Sequence, residues 1–225
     1  MLNAQAEFEK WLSGEFLDIT SRSELERIIN DENEINERFY KNLEFGTAGL
    51  RGIIGCGTNR MNVYTVRKAT QGLAEYIKAL GGKAMERGVV IAYDSRLYSD
   101  LFAKETALVL CANNIKAYLF DELKPVPMLS FAVRHLNCAM GVMITASHNP
   151  AKYNGYKVYG EDGAQISPEV AEKVLKAIDS LDIFEDVKTT NEIDAVSSGL
   201  LEMTGSKVEK VYLENVFAQS INKDL

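Results

Sequence analysis

The residues best suited to chemistry lie in the segment ITASHNP, residues 144–150. Ser147 is followed directly by His148 and, ten residues later, by Lys157. Asn149-Pro150 favours a turn, because the residue before a proline is held out of the α-helical region. A serine hydroxyl becomes a useful nucleophile only when a base or a positive environment activates it. These residues alone leave two interpretations open: Ser147 carries a covalent phosphoryl or acyl group, or it only caps a turn.

The familiar arrangements of serine hydrolases are not found around this serine. The G-x-S-x-G turn does not occur at Ser147. A catalytic triad would need His135 or His148 beside a carboxylate, yet no Asp or Glu lies between Leu123 and Gly160. We therefore do not predict a serine hydrolase.

Acidic residues are unevenly distributed along a chain whose net charge is −7. Residues 45–74 and 123–160 contain no carboxylate, although 32 of the 225 residues are Asp or Glu. Either these stretches form surfaces kept clear for an anion, or they are core segments that exclude charge. A negative protein is a poor ligand for nucleic acid, so a small phosphorylated molecule is the better candidate. The basic residues inside the two stretches are Arg51, Arg60, Arg67, Lys68, Lys124, Arg134, Lys152 and Lys157.

The composition is that of a packed globular protein, with 46% hydrophobic and 25% charged residues. It excludes a disordered tail, a collagen-like repeat and a small disulfide-stapled domain. Apolar runs such as VVIAY are too short to span a bilayer, and the first residues show no signal-peptide pattern. Three widely spaced cysteines and two histidines form no zinc framework. We therefore expect a cytoplasmic protein with reduced, buried thiols and no membrane partner.

Strand-like and helix-like segments alternate, which predicts an α/β fold: a mixed, mostly parallel sheet with helices on both faces. A capping box at Ser21 and Glu24 predicts a helix that begins there, and Gly81-Gly82 ends a helix that contains Val66 and Leu80. Ser167-Pro168 begins another helix. The predicted strands are 43–55 in short pieces, 88–94, 116–120, 139–145 and 155–160. Two further helices are predicted over residues 99–112 and 127–136.

The carboxyl ends of the predicted strands mark the expected site, because ligands of such sheets bind there. The unusual segments DSR (94–96), DELKPVP (121–127) and TASHNP (145–150) all follow such ends. We divide the chain into a domain over residues 1–200 and the truncated start of a second domain over residues 201–225. That second segment contains a predicted helix from Val208 to about Ser220.

Three motifs in this order resemble those of the phosphoglucomutase/phosphomannomutase superfamily of phosphohexomutases. TASHNP with the following YNGYKVY resembles the phosphoserine loop, FGTAGLRG (45–52) resembles the N-terminal phosphate-contacting segment, and YDSR (93–96) resembles a further motif. The segment GTNRMNVYTVRKATQGLAEYI is most similar to the branch of phosphoglucomutases and phosphopentomutases. The resemblance covers the N-terminal domain only, and it implies that family's first-domain fold.

The resemblance implies an intramolecular phosphotransferase, an isomerase in which Ser147 carries a phosphoryl group between C1 and C6 of a hexose phosphate, or C1 and C5 of a pentose phosphate. Arg51 and Lys157 supply positive charge for phosphoryl transfer. His148 or Lys157 handles the proton of the attacking hydroxyl.

The resemblance also implies further phosphate ligands around Arg51, whose planar fork suits a phosphate. Thr47 and the flexible backbone at Gly49 bring amide groups close to it. Arg96 and Asn149 are the remaining candidate substrate ligands. Each has an alternative: Arg96 pairs with Asp94 to shape its loop, and Asn149 only forms a turn.

The family's metal-binding run D-x-D-x-D does not occur in this sequence. Mg²⁺, which prefers such oxygen ligands, would here find only a phosphate oxygen on Ser147. We therefore expect the chain to be the N-terminal part of a larger mutase, inactive alone. The missing C-terminal domains would be its partner, and Mg²⁺ and a sugar bisphosphate activator its cofactors. The alternative is a non-catalytic module that binds a phosphate, a sugar phosphate or another protein.

Overall fold

The computed structural model describes residues 2–47 and 49–221 of the chain, and the fold is α/β. The helices within these ranges are α1 (Ala4–Ser13), α2 (Ile19–Glu26), α3 (Glu32–Phe39), α4 (Val63–Leu80), α5 (Gly82–Arg87), α6 (Ser99–Ala112), α7 (Val126–His135), α8 (Pro168–Asp179), α9 (Glu192–Ser197) and α10 (Ser206–Ala218). The strands are β1 (Gly49–Ile53), β2 (Val89–Tyr93), β3 (Ala117–Leu119), β4 (Met140–Ile144), β5 (Tyr153–Tyr159) and β6 (Leu201–Met203). Helices α1, α3, α5 and α9 and strand β6 are additional to the sequence prediction.

The six strands form one mixed sheet in the order β1-β5-β4-β2-β3-β6. Strand β2 pairs in parallel with β3 and β4, and β3 pairs in parallel with β6. Strand β5 runs antiparallel to both of its neighbours, β1 and β4. The mostly parallel sheet predicted from the sequence is confirmed, and its antiparallel part holds the candidate site.

Helices cover both faces of the sheet, also as predicted. Alternate residues of β2 enter two different cores: Val89 and Ile91 pack with α4, α6 and α8, whereas Val90 and Ala92 pack with α7 and Val208 of α10. Strands buried on both faces need an uninterrupted apolar sequence, which explains the run VVIAY. The central strands are therefore a rigid support for the loops at their ends.

Helices α1 to α3 form a separate hydrophobic cluster around Trp11. The prediction that Ser21 caps the second of these helices is wrong. Helix α2 begins at Ile19, and Asp18 rather than Ser21 is its N-cap. The Asp18 side chain accepts hydrogen bonds from the Ser21 amide and hydroxyl, and from the hydroxyl of Tyr64 on α4. Both residue types are good caps. The tertiary contact with Tyr64 decides between them.

The C-terminal segment is packed in its first part and exposed in its second. Strand β6 extends the sheet, and Val208 of α10 is fully buried. Farther along α10, Leu213 and Val216 are exposed. The division of the chain at residue 200 stays a prediction; β6 nevertheless belongs to the same sheet as the preceding strands.

The three cysteines and the apolar face of the longest helix contribute to internal packing. Cys56, Cys111 and Cys138 are all buried as free thiols. The longest of the described helices, α4, has 18 residues and places charged side chains opposite its buried face. Over the ranges that the structure covers, no helix is long and apolar enough to cross a membrane.

Candidate functional site

The candidate nucleophile lies in the connection between antiparallel strands β4 and β5. At the start of this serine loop, residues 145–152, the Thr145 amide donates to the Gly155 carbonyl of β5 at 3.0 Å. Inside it, the Asn149 amide donates to the Ala146 carbonyl at 3.1 Å. Because β4 continues directly into the loop, the carboxyl end of a buried strand presents Ser147, as the sequence predicts.

Ser147 is exposed and has an unusual backbone. Its φ of +56° lies in the left-handed region, which is uncommon for a residue with a Cβ atom. Its hydroxyl oxygen lies 3.3 Å from Nδ1 of His148, which is also exposed. Among the described residues no carboxylate hydrogen-bonds to His148, so the pair lacks the third member of a hydrolase triad.

Arg96 lies behind this loop and is mostly buried. Its guanidinium donates to the carbonyl oxygens of Ser147 at 2.7 Å and Asn149 at 2.6 Å. It also donates to the carbonyls of Pro150 at 3.1 Å and Tyr153 at 3.0 Å. A guanidinium has five N–H groups, and here they all have partners once the ion pair with Asp94 is included. Of the two interpretations given from the sequence, these contacts favour the loop-shaping one.

Arg51 reaches the serine loop from the neighbouring strand β1. Its Nη1 lies 3.4 Å from Oδ1 of Asn149. Arg51 is exposed and has no carboxylate partner in the described part of the chain. Its remaining N–H groups are therefore available to an anion beside Ser147. The Asn149 amide takes part in the turn, as its alternative interpretation requires, and its role as a substrate ligand stays a prediction.

The other candidate phosphate ligands line a cleft of about 490 Å³ next to the loop. Thr47, Gly49, Arg51 and Lys157 all contribute to its wall. Lys157 is on β5, directly opposite Gly49 of β1, and has no ion-pair partner in the part of the chain described. Arg51 lines this cleft and also contacts Asn149 of the serine loop, so it connects the two.

Gly49 is required by this geometry. Its φ is +149°, and a Cβ atom there would lie only 1.8 Å from the Tyr156 carbonyl oxygen of β5. The Gly46 amide donates to the Gly49 carbonyl at 2.8 Å and closes the turn that carries Thr47, which is exposed. Below the turn, burial raises the pKa of Tyr156, whose hydroxyl accepts a hydrogen bond from Thr70. Tyr156 therefore stays neutral in the core beneath the turn.

The three segments predicted to meet do so only in part. DSR and TASHNP are adjacent, because the Asp94 amide donates to the Ile144 carbonyl. DELKPVP lies beside them at the end of β3, but its buried Lys124 pairs with Glu122 and with Glu209 of α10. We therefore assign Lys124 to the packing of α10 rather than to the site.

Several residues of the site were not singled out by the sequence. Thr145 accepts a hydrogen bond from the Ser147 amide and donates one to Asp94. Asn59 and Gln165 line the cleft of Lys157. Thr145 could have been found as part of the motif TASHNP, whereas no local pattern distinguishes Asn59 or Gln165.

The residues near Ser147 do not form a ligand set for a divalent cation. Within residues 2–47 and 49–221, no three His, Cys, Asp or Glu side chains cluster as metal ligands. Asp94 has a carboxylate close to the loop, but both of its oxygens already accept hydrogen bonds. Mg²⁺ needs several oxygen ligands, and the described residues around Ser147 do not form such a set.

Comparisons with known proteins agree with this picture. Residues 42–183 match the family model described as "Phosphoglucomutase/phosphomannomutase, alpha/beta/alpha domain I". A phosphoglucomutase of Staphylococcus saprophyticus is 41% identical over 185 residues, which cover 82% of this chain and 33% of the relative. A probable phosphoribomutase of Schizosaccharomyces pombe is 39% identical over 211 residues, which cover 89% of this chain and 36% of the relative.

A solved structure from Thermus thermophilus, assigned as a phosphomannomutase, has the same fold. It superposes with a TM-score of 0.65 at 28% identity and covers 79% of this chain and 36% of its own. The present chain thus spans about a third of the length of the relatives it matches. Because the family model matches well over half of the sequence, including every motif of the site, the chain belongs to the phosphoglucomutase/phosphomannomutase family and carries its domain I.

Proposed function

We propose that the chain is the serine-bearing domain of a phosphosugar mutase in which Ser147 carries a phosphoryl group. The observation that supports this most directly is the contact between Arg51 and Asn149. It brings a guanidinium, which has no carboxylate partner among the described residues, to the loop of an exposed serine with a left-handed backbone. A loop serine that only capped a turn would need neither the exposure nor the adjacent cation.

In the proposed reaction, phosphorylated Ser147 donates its phosphoryl group to a hydroxyl of a sugar monophosphate. The bond between Oγ and phosphorus breaks, and a bond forms between phosphorus and the sugar oxygen. The hydroxyl proton passes to Lys157 or His148, and Oγ of Ser147 leaves as an alkoxide. This Oγ then attacks the other phosphorus of the sugar bisphosphate, the bond from that phosphorus to the sugar oxygen breaks, and the sugar oxygen takes the proton held by Lys157 or His148. Transfer runs between C1 and C6 of a hexose, or C1 and C5 of a pentose.

Positive charge and orientation are the main requirements of this chemistry. Arg51 presents N–H groups from the edge of the serine loop, and Lys157 adds a second cation in the adjacent cleft. Thr47 and the Gly49 turn provide polar groups on the same cleft wall.

Mg²⁺ and a sugar bisphosphate activator are part of the proposal for the longer protein only. Mg²⁺ would neutralise the phosphate charge, but no three His, Cys, Asp or Glu side chains of the described residues cluster to hold it. The proposed setting is the cytoplasm, with a sugar phosphate as the small-molecule partner.

The test uses the chain extended by the two thirds present in its relatives. Intact-mass analysis and peptide mapping should find one phosphoryl group on Ser147 after incubation with glucose 1,6-bisphosphate. The Ser147→Ala variant should carry none, whereas Ser13→Ala, which changes an exposed serine at the end of α1, should behave as the wild type.

The competing function, a non-catalytic sugar-phosphate-binding module, predicts a different result. The protein would bind glucose 1-phosphate without accepting a phosphoryl group, and Ser147→Ala would leave that affinity unchanged. That combination would contradict the proposed mutase.

A further inference from the structure

The backbone of Ser147 needs external support. Four non-glycine residues with positive φ occur in the described ranges: Tyr98, Asn114, Asn137 and Ser147. Asn adopts this conformation readily, but Ser and Tyr seldom do. Such residues persist where the surrounding structure holds them, often at functional sites. Two contacts of Ser147 depend on the segment Asp94–Ser99, which also contains Tyr98. Arg96 donates to the Ser147 carbonyl, and the Thr145 hydroxyl that accepts the Ser147 amide donates to Asp94.

Arg96 holds the serine loop through hydrogen bonds to its main-chain carbonyls. Its two terminal nitrogens bind four main-chain carbonyls, those of residues 147, 149, 150 and 153. These carbonyls span the whole connection from the serine to the first residue of β5. A planar fork with fixed N–H directions can satisfy several carbonyls at once, whereas the single ammonium of a lysine cannot reach the same set.

Asp94 determines which way the hydrogen bonds of the Thr145 hydroxyl in the serine loop run. An ionised carboxylate only accepts hydrogen bonds, so the Thr145 hydroxyl must donate its proton to Asp94 Oδ2, at 2.5 Å. The hydroxyl oxygen then presents a lone pair to the Ser147 amide, which donates to it at 2.9 Å. The charge of Asp94 thereby determines the orientation of the Ser147 peptide group.

The segment is itself anchored to the start of β5. Asp94 Oδ1 accepts hydrogen bonds from the Arg96 amide and the Ser99 hydroxyl. Asn154, which is completely buried, donates to Ser99 Oγ and to the Leu97 carbonyl, both at 3.0 Å. Every member of this set has a partner, and such fully satisfied buried networks hold one conformation.

We infer that Asp94 and Arg96 are positioning residues that hold Ser147 in its left-handed, outward-facing conformation. This inference rests on the proposed function, in which Ser147 is the phosphoryl carrier. It replaces the expectation that Arg96 binds the substrate phosphate. The guanidinium acts on the loop carbonyls, and Arg51 and Lys157 are the cations left for the ligand.

The experiment measures the Ser147 amide directly in the 225-residue chain. NMR gives its hydrogen-exchange rate and its three-bond HN–Hα coupling, which reports φ. Arg96→Lys and Asp94→Asn should each speed exchange at Ser147 by about tenfold or more, and should shift the coupling. The melting temperature reports global stability separately.

Arg87→Lys is the matched control. Arg87 also donates to two main-chain carbonyls, those of Asn137 and Cys138, and pairs with Glu161 away from the serine loop. Its replacement should leave exchange at Ser147 within about twofold of the wild type. An equal effect of Arg87→Lys and Arg96→Lys at Ser147 would overturn the inference.

Two rescue experiments separate positioning from general destabilisation. Guanidinium ion at a non-denaturing concentration should restore slow exchange in Arg96→Ala but not in Arg96→Lys, whose ammonium occupies the space. Thr145→Ser retains the bridging hydroxyl and should keep Ser147 protected, whereas Thr145→Val should not. Unchanged exchange in Thr145→Val and Arg96→Lys would refute the inference.

These readouts are independent of phosphoryl transfer. If Ser147 is never phosphorylated, the proposed function fails while the exchange data still decide whether Asp94 and Arg96 hold the loop. If Ser147 is phosphorylated and the variants exchange normally, the positioning role fails alone.

Discussion

Arg51 and Asn149, which are 98 residues apart in the sequence, meet with Nη1 3.4 Å from Oδ1. They meet because one residue of β5 supports both segments. Gly155 lies opposite Arg51 in the β1–β5 ladder, and its carbonyl accepts the Thr145 amide at the start of the serine loop. A Cβ atom on Gly155 would lie 2.7 Å from the Thr145 carbonyl oxygen and 2.8 Å from that of Leu50. This close approach brings the segment FGTAGLRG and the serine loop together.

Replacement of Arg51 should weaken binding of a phosphorylated ligand. A hydrogen bond to a charged group contributes about 1.5–3 kcal/mol, so Arg51→Ala should reduce the affinity for glucose 1-phosphate by about one to two orders of magnitude. The affinity of Arg51→Lys should lie between those of the wild type and Arg51→Ala, because lysine keeps the positive charge but lacks the planar fork of N–H groups. Isothermal titration calorimetry at low and high salt gives the affinities.

The control for that measurement is Arg27→Ala. Arg27 is an exposed arginine that follows α2, so it matches the loss of charge without touching the site. An equal loss of affinity in both variants would mean that only net charge matters.

Gly49→Ala should destabilise the protein strongly. The new methyl group would lie 1.8 Å from the Tyr156 carbonyl oxygen, in a backbone conformation with φ of +149°. We expect the free energy of unfolding to fall by more than about 2 kcal/mol, measured by urea denaturation. Gly82→Ala is the control, since no atom lies within 4 Å of a Cβ at that helix start. A wild-type unfolding midpoint for Gly49→Ala would show that β1 does not lie this close to β5.

The central strands and the serine motif could be predicted from the sequence, and the contacts between distant segments could not. VVIAY and MGVMI are short continuous apolar runs, and such runs are typical of a strand buried on both faces. Their ends differ from the prediction by one residue. By contrast, Arg96 contacts carbonyls 51 to 57 residues away, and no local pattern reveals such partners.

The N-cap of α2 shows the same limit at short range. Asp18 and Ser21 both suit a cap, and Glu24 completes a capping box with Ser21 in the sequence. In the structure, Glu24 instead pairs with Arg38 and accepts the Cys56 amide. The long-range partners of Asp18 and Glu24 therefore override the local capping-box pattern.

The three thiols should resist modification in the folded protein. Burial raises the pKa of Cys56 to about 12, that of Cys111 to about 11 and that of Cys138 to about 12. The thiolate is the reactive form, and the cysteines of an unfolded chain ionise with a pKa of about 8.5. At pH 8, a disulfide reagent should titrate no thiol rapidly in the native protein and three thiols in guanidinium chloride. One thiol reacting as fast as free cysteine would contradict the described burial.

The same shifts have a consequence for stability at alkaline pH. The folded state keeps these thiols protonated at pH values where the unfolded chain has lost the protons. The contribution of burial is therefore fully present below the unfolded pKa, and it decreases as the pH rises toward 11 to 12. Urea midpoints should fall between about pH 9 and 11, and Cys138→Ala should reduce that fall.

The last prediction is that the 225-residue chain shows no mutase turnover, even with Mg²⁺ and glucose 1,6-bisphosphate. The described residues supply the serine and two nearby cations, Arg51 and Lys157, and no cluster of carboxylate ligands for the metal. Orientation of the reacting groups alone contributes about 7–11 kcal/mol to such catalysis, and a single open face of the site cannot provide it. A coupled assay that converts glucose 1-phosphate and detects glucose 6-phosphate measures the rate. Activity in the extended chain that disappears with Ser147→Ala would support the proposal. Turnover by the 225-residue chain itself, sensitive to Ser147→Ala, would show that domain I needs neither the metal ligands nor the further domains.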